Sequence, residues 1–406
     1  MSSLKEQFVM SPRYRMWSLG LMGVGILSVI IGFIMYGTGD EEAKARFWAT
    51  MLQNSVYFLL VVNAAMFFIC ATTLAMGGWQ MSFRRVSEAI SVAVIPIGVI
   101  AFVILMALVL GNQHHLYHWL NTEGDKVLEG KKGFLNRGFF IVWTTLTIGL
   151  WIILGMKMRS LSRSLDNNPL PNVEAGRRYV FTNTVWASIY IVWFALTVAS
   201  TIPWLWLMSI NAHWYSTMYS WYTFASTFVA GLALITLFVV YLKNKGHLEV
   251  VNEEHLHDLG KFMFAFSIFW TYLWFSQFML IWYANIPEET VYYQPRVRGE
   301  YRGIFWLNLI INFVAPILIL MRRSSKRNYT TITFMAVVLL FGHWIDFYQM
   351  VFAGPFSEHV QLNLFDFGVA AGFVGLILFT TGNALSKHPM YANNHPFFKE
   401  TIIHYT

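Results

Sequence analysis

The stretch AISVAVIPIGVIAFVILMALVLG, Ala89–Gly111, runs through the chain without a single charged residue. A helix crosses the hydrocarbon core of a bilayer with about 20 mostly apolar residues. Strands of a membrane barrel would instead alternate apolar and polar side chains over about ten positions. This run is continuously apolar and long enough, so it reads as a transmembrane helix. Nine further segments read the same way: Met16–Tyr36, Leu52–Gly77, Phe139–Met156, Val180–Leu207, Trp214–Leu242, Phe262–Ile286, Gly303–Met321, Tyr329–Phe352 and Phe367–Ser386. The expected fold is an all-α, polytopic membrane protein of about ten spans, with residues 1–406 forming one transmembrane domain.

Composition agrees. Of the 406 residues, 56% are hydrophobic and 12% charged, about half the charged share of a soluble domain. The net charge of +7 does not point to nucleic acid, because the basic residues gather in short loops between apolar runs. Counting Lys and Arg by loop puts 19 on the side of the N-terminus (Lys5, Arg13 and Arg15 among them) and 9 on the other, so both termini are expected in the cytoplasm. The N-terminal MSSLKEQFVMSPRYR leads straight into apolar residues with no small-residue cleavage site, as an uncleaved first helix would. Tryptophans flank many spans as interfacial anchors. The lone cysteine, Cys70, excludes a disulfide within the chain and any thiolate cluster. The largest loops, Asn112–Arg137 and Lys157–Tyr179, are too short for a domain, and no Walker motif, GxGxxG or long repeat occurs.

Ionisable groups inside a bilayer are costly and mark functional candidates. Nine of the ten apolar spans carry no formal charge; the ninth, with GHWIDFYQM, carries His343 and Asp346. Three residues apart, they share one helix face. At 1.5 Å per residue Asp346 stands roughly 25 Å above Tyr329, in the outer half of the membrane. There an imidazole and a carboxylate form either a proton-handling pair or a hydrogen bond that only locks helix packing. At the cytoplasmic start of span seven, NEEHLHDLGKF places His255, His257, Asp258 and Lys261, with Glu88 at the same depth on span three; these read as a proton entrance or as a solvated helix start. Glu253 and Glu254 read as helix N-terminal charges. HHLYHW gives His114, His115 and His118 at the outer end of span three, where a quinol headgroup contact or a partner contact fits and bis-histidine haem does not. His213 is a loop candidate of the same kind. Thr271, Tyr272, Ser276 and Gln277 on span seven suit either a water chain or polar contacts between helices. Glu288 and Glu289, in ANIPEE, are candidate contacts for a peripheral subunit. Pro96, Pro203 and Pro316 lie where the broken helices of a secondary transporter would need them, yet no charge sits at the midplane.

The blocks HDLGKFMFAFSIFWTYLWFSQFMLIWYANIPEET (His257–Thr290), MSINAHWYSTMYSWYTFAS (Met208–Ser226) and FGHWIDFYQM (Phe341–Met350) resemble the NrfD/PsrC-type membrane subunit ActF of alternative complex III, and the likeness covers most of the chain beyond the first span. The resemblance implies a subunit of a quinol:electron acceptor oxidoreductase of a respiratory or photosynthetic chain in the bacterial inner membrane. It implies ten helices including two four-helix bundles, and partners comprising an ActC-like membrane subunit, an iron–sulfur subunit, c-type haem subunits, membrane lipids and the quinol pool. It implies no redox centre or metal in this chain, with a quinone or menaquinone as the associated small molecule. On that footing Glu88, His255, His257, Asp258 and Lys261 would form an inner proton half-channel, and His343, Asp346 and Tyr348 an outer one. His115 and His118 would stand where an outer quinol pocket is built. The long His- and Glu-rich loop of many ActF-like chains is here only GTGDEEAKAR, so its role does not carry over. The competing readings are a purely structural scaffold in the same complex and a secondary transporter.

Overall fold

A computed structural model describes residues 7–356 and 362–405, the side chain of Asn167 excepted. Lys5, counted above for orientation, lies outside the described residues. Among them there is no strand, and ten helices are long and apolar enough to cross a membrane. These are α1 (Pro12–Gly37), α2 (Glu41–Leu74), α3 (Arg84–Leu110), α4 (Arg137–Asp166), α5 (Val173–Asn211), α6 (Met218–Asn244), α7 (Glu253–Ala284), α8 (Arg302–Leu320), α9 (Tyr329–Phe352) and α10 (Leu364–Leu385). Every span expected from the sequence is present, and the protein is multi-pass.

The helices outrun the apolar cores that predict them. EEAKAR, expected in a loop, forms the first turns of α2 under an Asp40 cap that accepts from the Ala43 amide at 2.9 Å. Most of the expected loop Lys157–Tyr179 is likewise the end of α4 and the start of α5. Hydropathy marks where a helix meets hydrocarbon, whereas the backbone ladder continues until a cap stops it. The three prolines distort their helices without ending the spans. The regular helix of α3 is interrupted at Ala93, three residues before Pro96. Wide turns surround Pro203 at Thr197–Thr201 and Pro203–Leu207, and another, Ile310–Val314, precedes Pro316 in α8. A proline removes one ladder donor, and a wide turn is one way the ladder absorbs that loss.

α2 packs on α3 and α5, and α4 closes that ring against the same two helices. α6 packs on α7 and α9, and α8 closes a second ring. α2 joins the rings by also touching α6 and α9. Accordingly α2 and α6 are 83% buried over their most apolar windows, against 17% for α1. α1 shows Ile26, Leu27, Ile30, Ile31 and Ile34 outward, a face suited to lipid. It holds to the rest through α10. At their crossing a Cβ on Gly25 would stand 2.3 Å from the Gly372 Cα, so only glycines permit this approach. The Gln7 side chain donates to the Ser386 carbonyl at 2.8 Å, which puts the start of α1 and the end of α10 on one face, here called the terminal face.

Gly372→Leu is expected to overpack the α1–α10 seam by about 1–3 kcal/mol. It would lower the thermal midpoint in detergent and release α1 early in limited proteolysis; an unchanged cleavage pattern would show that α1 is held elsewhere.

Candidate functional site

Asp346 is fully buried where α6, α7, α8 and α9 converge. Its Oδ1 accepts from the Tyr222 hydroxyl and from Asn308 Nδ2 at 2.8 Å. Its Oδ2 accepts from the Ser226 hydroxyl at 2.9 Å and Trp270 Nε1 at 3.0 Å. Four donors from three neighbouring helices thus meet one carboxylate, about the number of acceptor sites it offers. All four are neutral. Asn312 donates to Asn308 Oδ1 at 2.5 Å and fixes that amide.

α8 reaches Asp346 because of Gly342. A Cβ there would lie 2.2 Å from Asn312 Oδ1 and 2.4 Å from the Ile311 side chain. The wide turn Ile310–Val314 is therefore pressed against a bare backbone patch of α9, which brings Asn308 and Asn312 into line. Wide turns of this kind recur at functional sites.

His343 and Asp346 do not bond to each other directly. Ser226 Oγ stands between them, 3.0 Å from His343 Nδ1 and 2.9 Å from Asp346 Oδ2. A serine hydroxyl has one proton, and it points to the carboxylate, so Nδ1 is assigned the proton it donates to Ser226. Nε2 then carries a bare lone pair, buried and without a hydrogen-bond partner among the described residues. Asp346, Ser226 and His343 form a three-member relay. Tyr348 is not part of it: it is buried beside Tyr301, ring centroids 6.2 Å apart, and stacks on Phe352.

At the terminal face the five sequence candidates divide into four groups. Asp258 pairs with Lys261 at 2.5 Å and with His404 at 2.6 Å. His255 caps α7 through Asn252 and bonds Thr401 at 2.9 Å through Nε2. His257 approaches Glu254 at 4.0 Å, and Glu254 is held by Arg327. Glu88 stands apart, gripped by Arg84 at 3.0 Å and Arg85 at 2.9 Å, with Arg85 also paired to Asp166. Asp258 precedes Trp270 by twelve residues of α7, roughly 18 Å along the axis. No hydrogen-bond chain joins the terminal-face clusters to the Asp346 relay among the described residues. At the opposite face His115 lies 3.5 Å from Glu41, His213 lies 2.5 Å from Asp125, and His118 is exposed. Glu288 is exposed and Glu289 half-buried in a short helix after α7.

Several working residues escaped the sequence reading. Tyr222 and Ser226 look like the hydroxyls that any apolar helix tolerates. Asn308 and Asn312, four apart in LNLIIN, carried a usable signal, since two amides on one face of a span need partners. Thr401 and His404 belong to a C-terminal segment whose return over α7 nothing local announces. Of the span-seven polar residues, Gln277 faces the protein, Tyr272 faces outward, and Thr271 returns its hydroxyl to the Ser267 carbonyl at 2.8 Å. A separate cavity of about 550 Å³ opens between α1, α2, α6, α9 and α10. Of its four polar lining side chains, Tyr14 is bonded to the Leu378 carbonyl, Tyr57 to the Leu340 carbonyl and Trp344 to Asn54, and Tyr241 is the fourth. Its walls are otherwise apolar, which suits a hydrocarbon chain.

The chain matches no protein-family model, and a search of curated proteins returns no match.

Gly342→Ala is expected to push α8 off Asp346 and cost about 1–3 kcal/mol, read as a lower unfolding midpoint, whereas Gly176→Ala, in a helix with open space around it, should leave it unchanged or raise it. His395, in the C-terminal segment, gives a pH test. Burial, with the charge of Arg84 adding to it, pushes its pKa down to about 3. The unfolded chain takes up this proton near pH 6.5 and the folded one does not. That contribution to stability is therefore whole above pH 6.5 and shrinks as pH falls toward 3. Between pH 7 and 5 the wild type should lose about 2 kcal/mol more than His395→Gln, measured by chemical denaturation in detergent; parallel curves would show that His395 titrates normally.

Proposed function

We propose that this chain is the ActF-like membrane subunit of a quinol-oxidising electron-transfer complex of the alternative complex III type, and that it handles protons in the outer half of the bacterial inner membrane. The identity rests on the sequence blocks His257–Thr290, Met208–Ser226 and Phe341–Met350. The two helix rings, α2–α5 and α6–α9, support reading the architecture as two four-helix bundles flanked by α1 and α10. The excess of basic residues on the terminal face supports placing both ends in the cytoplasm.

One observation carries the proton role. Five carboxylates are buried among the described residues: Glu88, Glu254, Asp258, Asp346 and Asp366. Glu88 has two arginines, Glu254 has Arg327, Asp258 has Lys261, and Asp366 has Arg46 at 2.5 Å. Asp346 alone of the five has no cation. A carboxylate paired to a buried guanidinium holds its charge, because protonating it strands the partner. A carboxylate held only by neutral donors has no such lock. Two of its donors are hydroxyls, which rotate to accept as readily as they donate. Asp346 therefore takes and gives a proton with no partner cation left stranded, and Ser226 exchanges it with His343 Nδ1 while the ring takes up or releases a proton at Nε2.

The terminal-face groups Asp258, His255 and His257, now with Thr401 and His404, are the inner counterpart in this reading, and about 18 Å of α7 separates the two halves. Glu88 belongs to a cationic knot that fastens α3 to α4 and is set aside as a carrier. The large apolar cavity supports lodging the tail of a lipid or quinone.

In the assembled complex, Asp346→Asn should lower the protons released per quinol oxidised, with subunit composition unchanged. Ser226→Ala should do the same and Ser226→Thr should not. The donor shell also suits a scaffold role, which predicts unchanged stoichiometry in Asp346→Asn at normal assembly; that result would refute proton handling here and leave membership of the complex standing.

A further inference from the structure

Between Asp346 and the opposite face lies a second, much smaller cavity, lined by Tyr222, Gln277, Tyr292, Arg296 and Gln349 among others. Its volume is about 10 Å³, about the room that one water needs. Tyr222 forms part of the wall while its hydroxyl holds Asp346. Gln349 is 4% exposed, and its Nε2 has no hydrogen-bond partner among the described residues. A buried amide without a partner is costly, and ordered water is the usual remedy.

Arg296 is the other unusual resident. It is 2% exposed. Its guanidinium donates to the Tyr292 carbonyl and to the Gln349 carbonyl at 2.9 Å, and lies 3.6 Å over the Tyr292 ring. These partners are all neutral, and no carboxylate pairs with it among the described residues. A positive charge is thus held, uncompensated, at the wall of a one-water cavity that adjoins the buried carboxylate.

We propose that this cavity holds an ordered water that extends the Asp346 relay toward the opposite face, and that Arg296 is an electrostatic gate on it. This deepens, and rests on, the reading of Asp346 as a proton-bearing group. The water bonds to Gln349 Nε2 and bridges toward Tyr222, so the relay has an exit. An excess proton on that water would be a cation beside a cation in a low-dielectric interior, where like charges repel strongly. Fixed arginines bar protons and cations from water-lined pores in the same way. The charge raises the same barrier in both directions, so Arg296 limits how fast protons pass between Asp346 and the outer phase.

The test uses the full chain in vesicles of phosphatidylethanolamine and phosphatidylglycerol, with a pH-sensitive dye inside and an acid pulse outside. Wild-type vesicles should acidify slowly. Arg296→Gln should acidify about tenfold faster, as loss of a nearby like charge allows, and Arg296→Lys, which keeps the charge, should stay near wild type. The double variant Arg296→Gln with Asp346→Asn should return to the wild-type rate. Equal rates for wild type and Arg296→Gln would overturn the gate, as would an Arg296→Lys variant that leaks as fast as Arg296→Gln. A double variant that still leaks would overturn the connection to Asp346. Should Arg296→Gln not fold, Gln349→Met in the otherwise native chain tests the water by infrared spectroscopy: an O–D stretch of a confined water should be present in wild type and lost in the variant, and identical spectra would overturn the water site. Unchanged proton stoichiometry in the Asp346→Asn complex would defeat the parent reading by a separate measurement, without altering these leak rates.

Discussion

Asp346 can be buried in the second ring only if its four neutral donors all stay in place. Hydrogen bonds to a charged group contribute about 1.5–3 kcal/mol each, and a buried charge left short of them is penalised further. That requirement dictates much of the local architecture. Tyr222 and Ser226 must sit one turn apart on α6, Trp270 must turn its indole nitrogen inward, and α8 must come close enough for an amide. Gly342 and the wide turn before Pro316 are what this last demand costs in regularity. The same carboxylate thus ties four helices together and is itself locked by no cation.

The two ends of the molecule solve the burial of charge differently. On the terminal face, carboxylates are matched with arginines, lysine and histidine, and the C-terminal segment is drawn down over α7 through Thr401 and His404. Arg46 and Asp366 do the equivalent at the other face, with Thr50 adding a bond to Asp366 at 2.8 Å and so tying α2 to the start of α10. These pairs are mutually satisfied, and their loss would strand a partner. They hold helices together, whereas the Asp346 group in the second ring has no cation to lock its charge, which is what the proposed proton role requires.

The spans themselves were legible, because twenty apolar residues in a row admit one solution in a bilayer. The location of Asp346 was legible too, as the one carboxylate deep in a span. Its surroundings were not. Nothing in the spacing of His343 and Asp346 shows that a serine from another helix stands between them; i,i+3 placement puts two side chains on one face without saying whether they touch. Glu88 and Asp258 share a depth in the sequence, yet helix packing sends the first into a cluster with Arg84 and Arg85 and the second to the C-terminal segment. Depth is a one-dimensional property and can be counted along each span. Which spans are neighbours depends on small residues and side-chain fit that no single helix displays.

Arg296 shows the limit most clearly. In the sequence it is one of nine basic residues on the less basic side, a loop charge expected in water. In the fold it is as buried as the core, and among the described residues its guanidinium bonds to two carbonyl oxygens and lies over an aromatic ring. A guanidinium tolerates such a place because its five donors can be met by neutral acceptors and its flat face by a ring, which a lysine does less well. Evolution of a mere anchor would not require the charge, since carbonyls can be met by an amide. In the gate proposed above, the charge acts on the proton that Asp346 exchanges through the small cavity that Arg296 and Tyr222 both line.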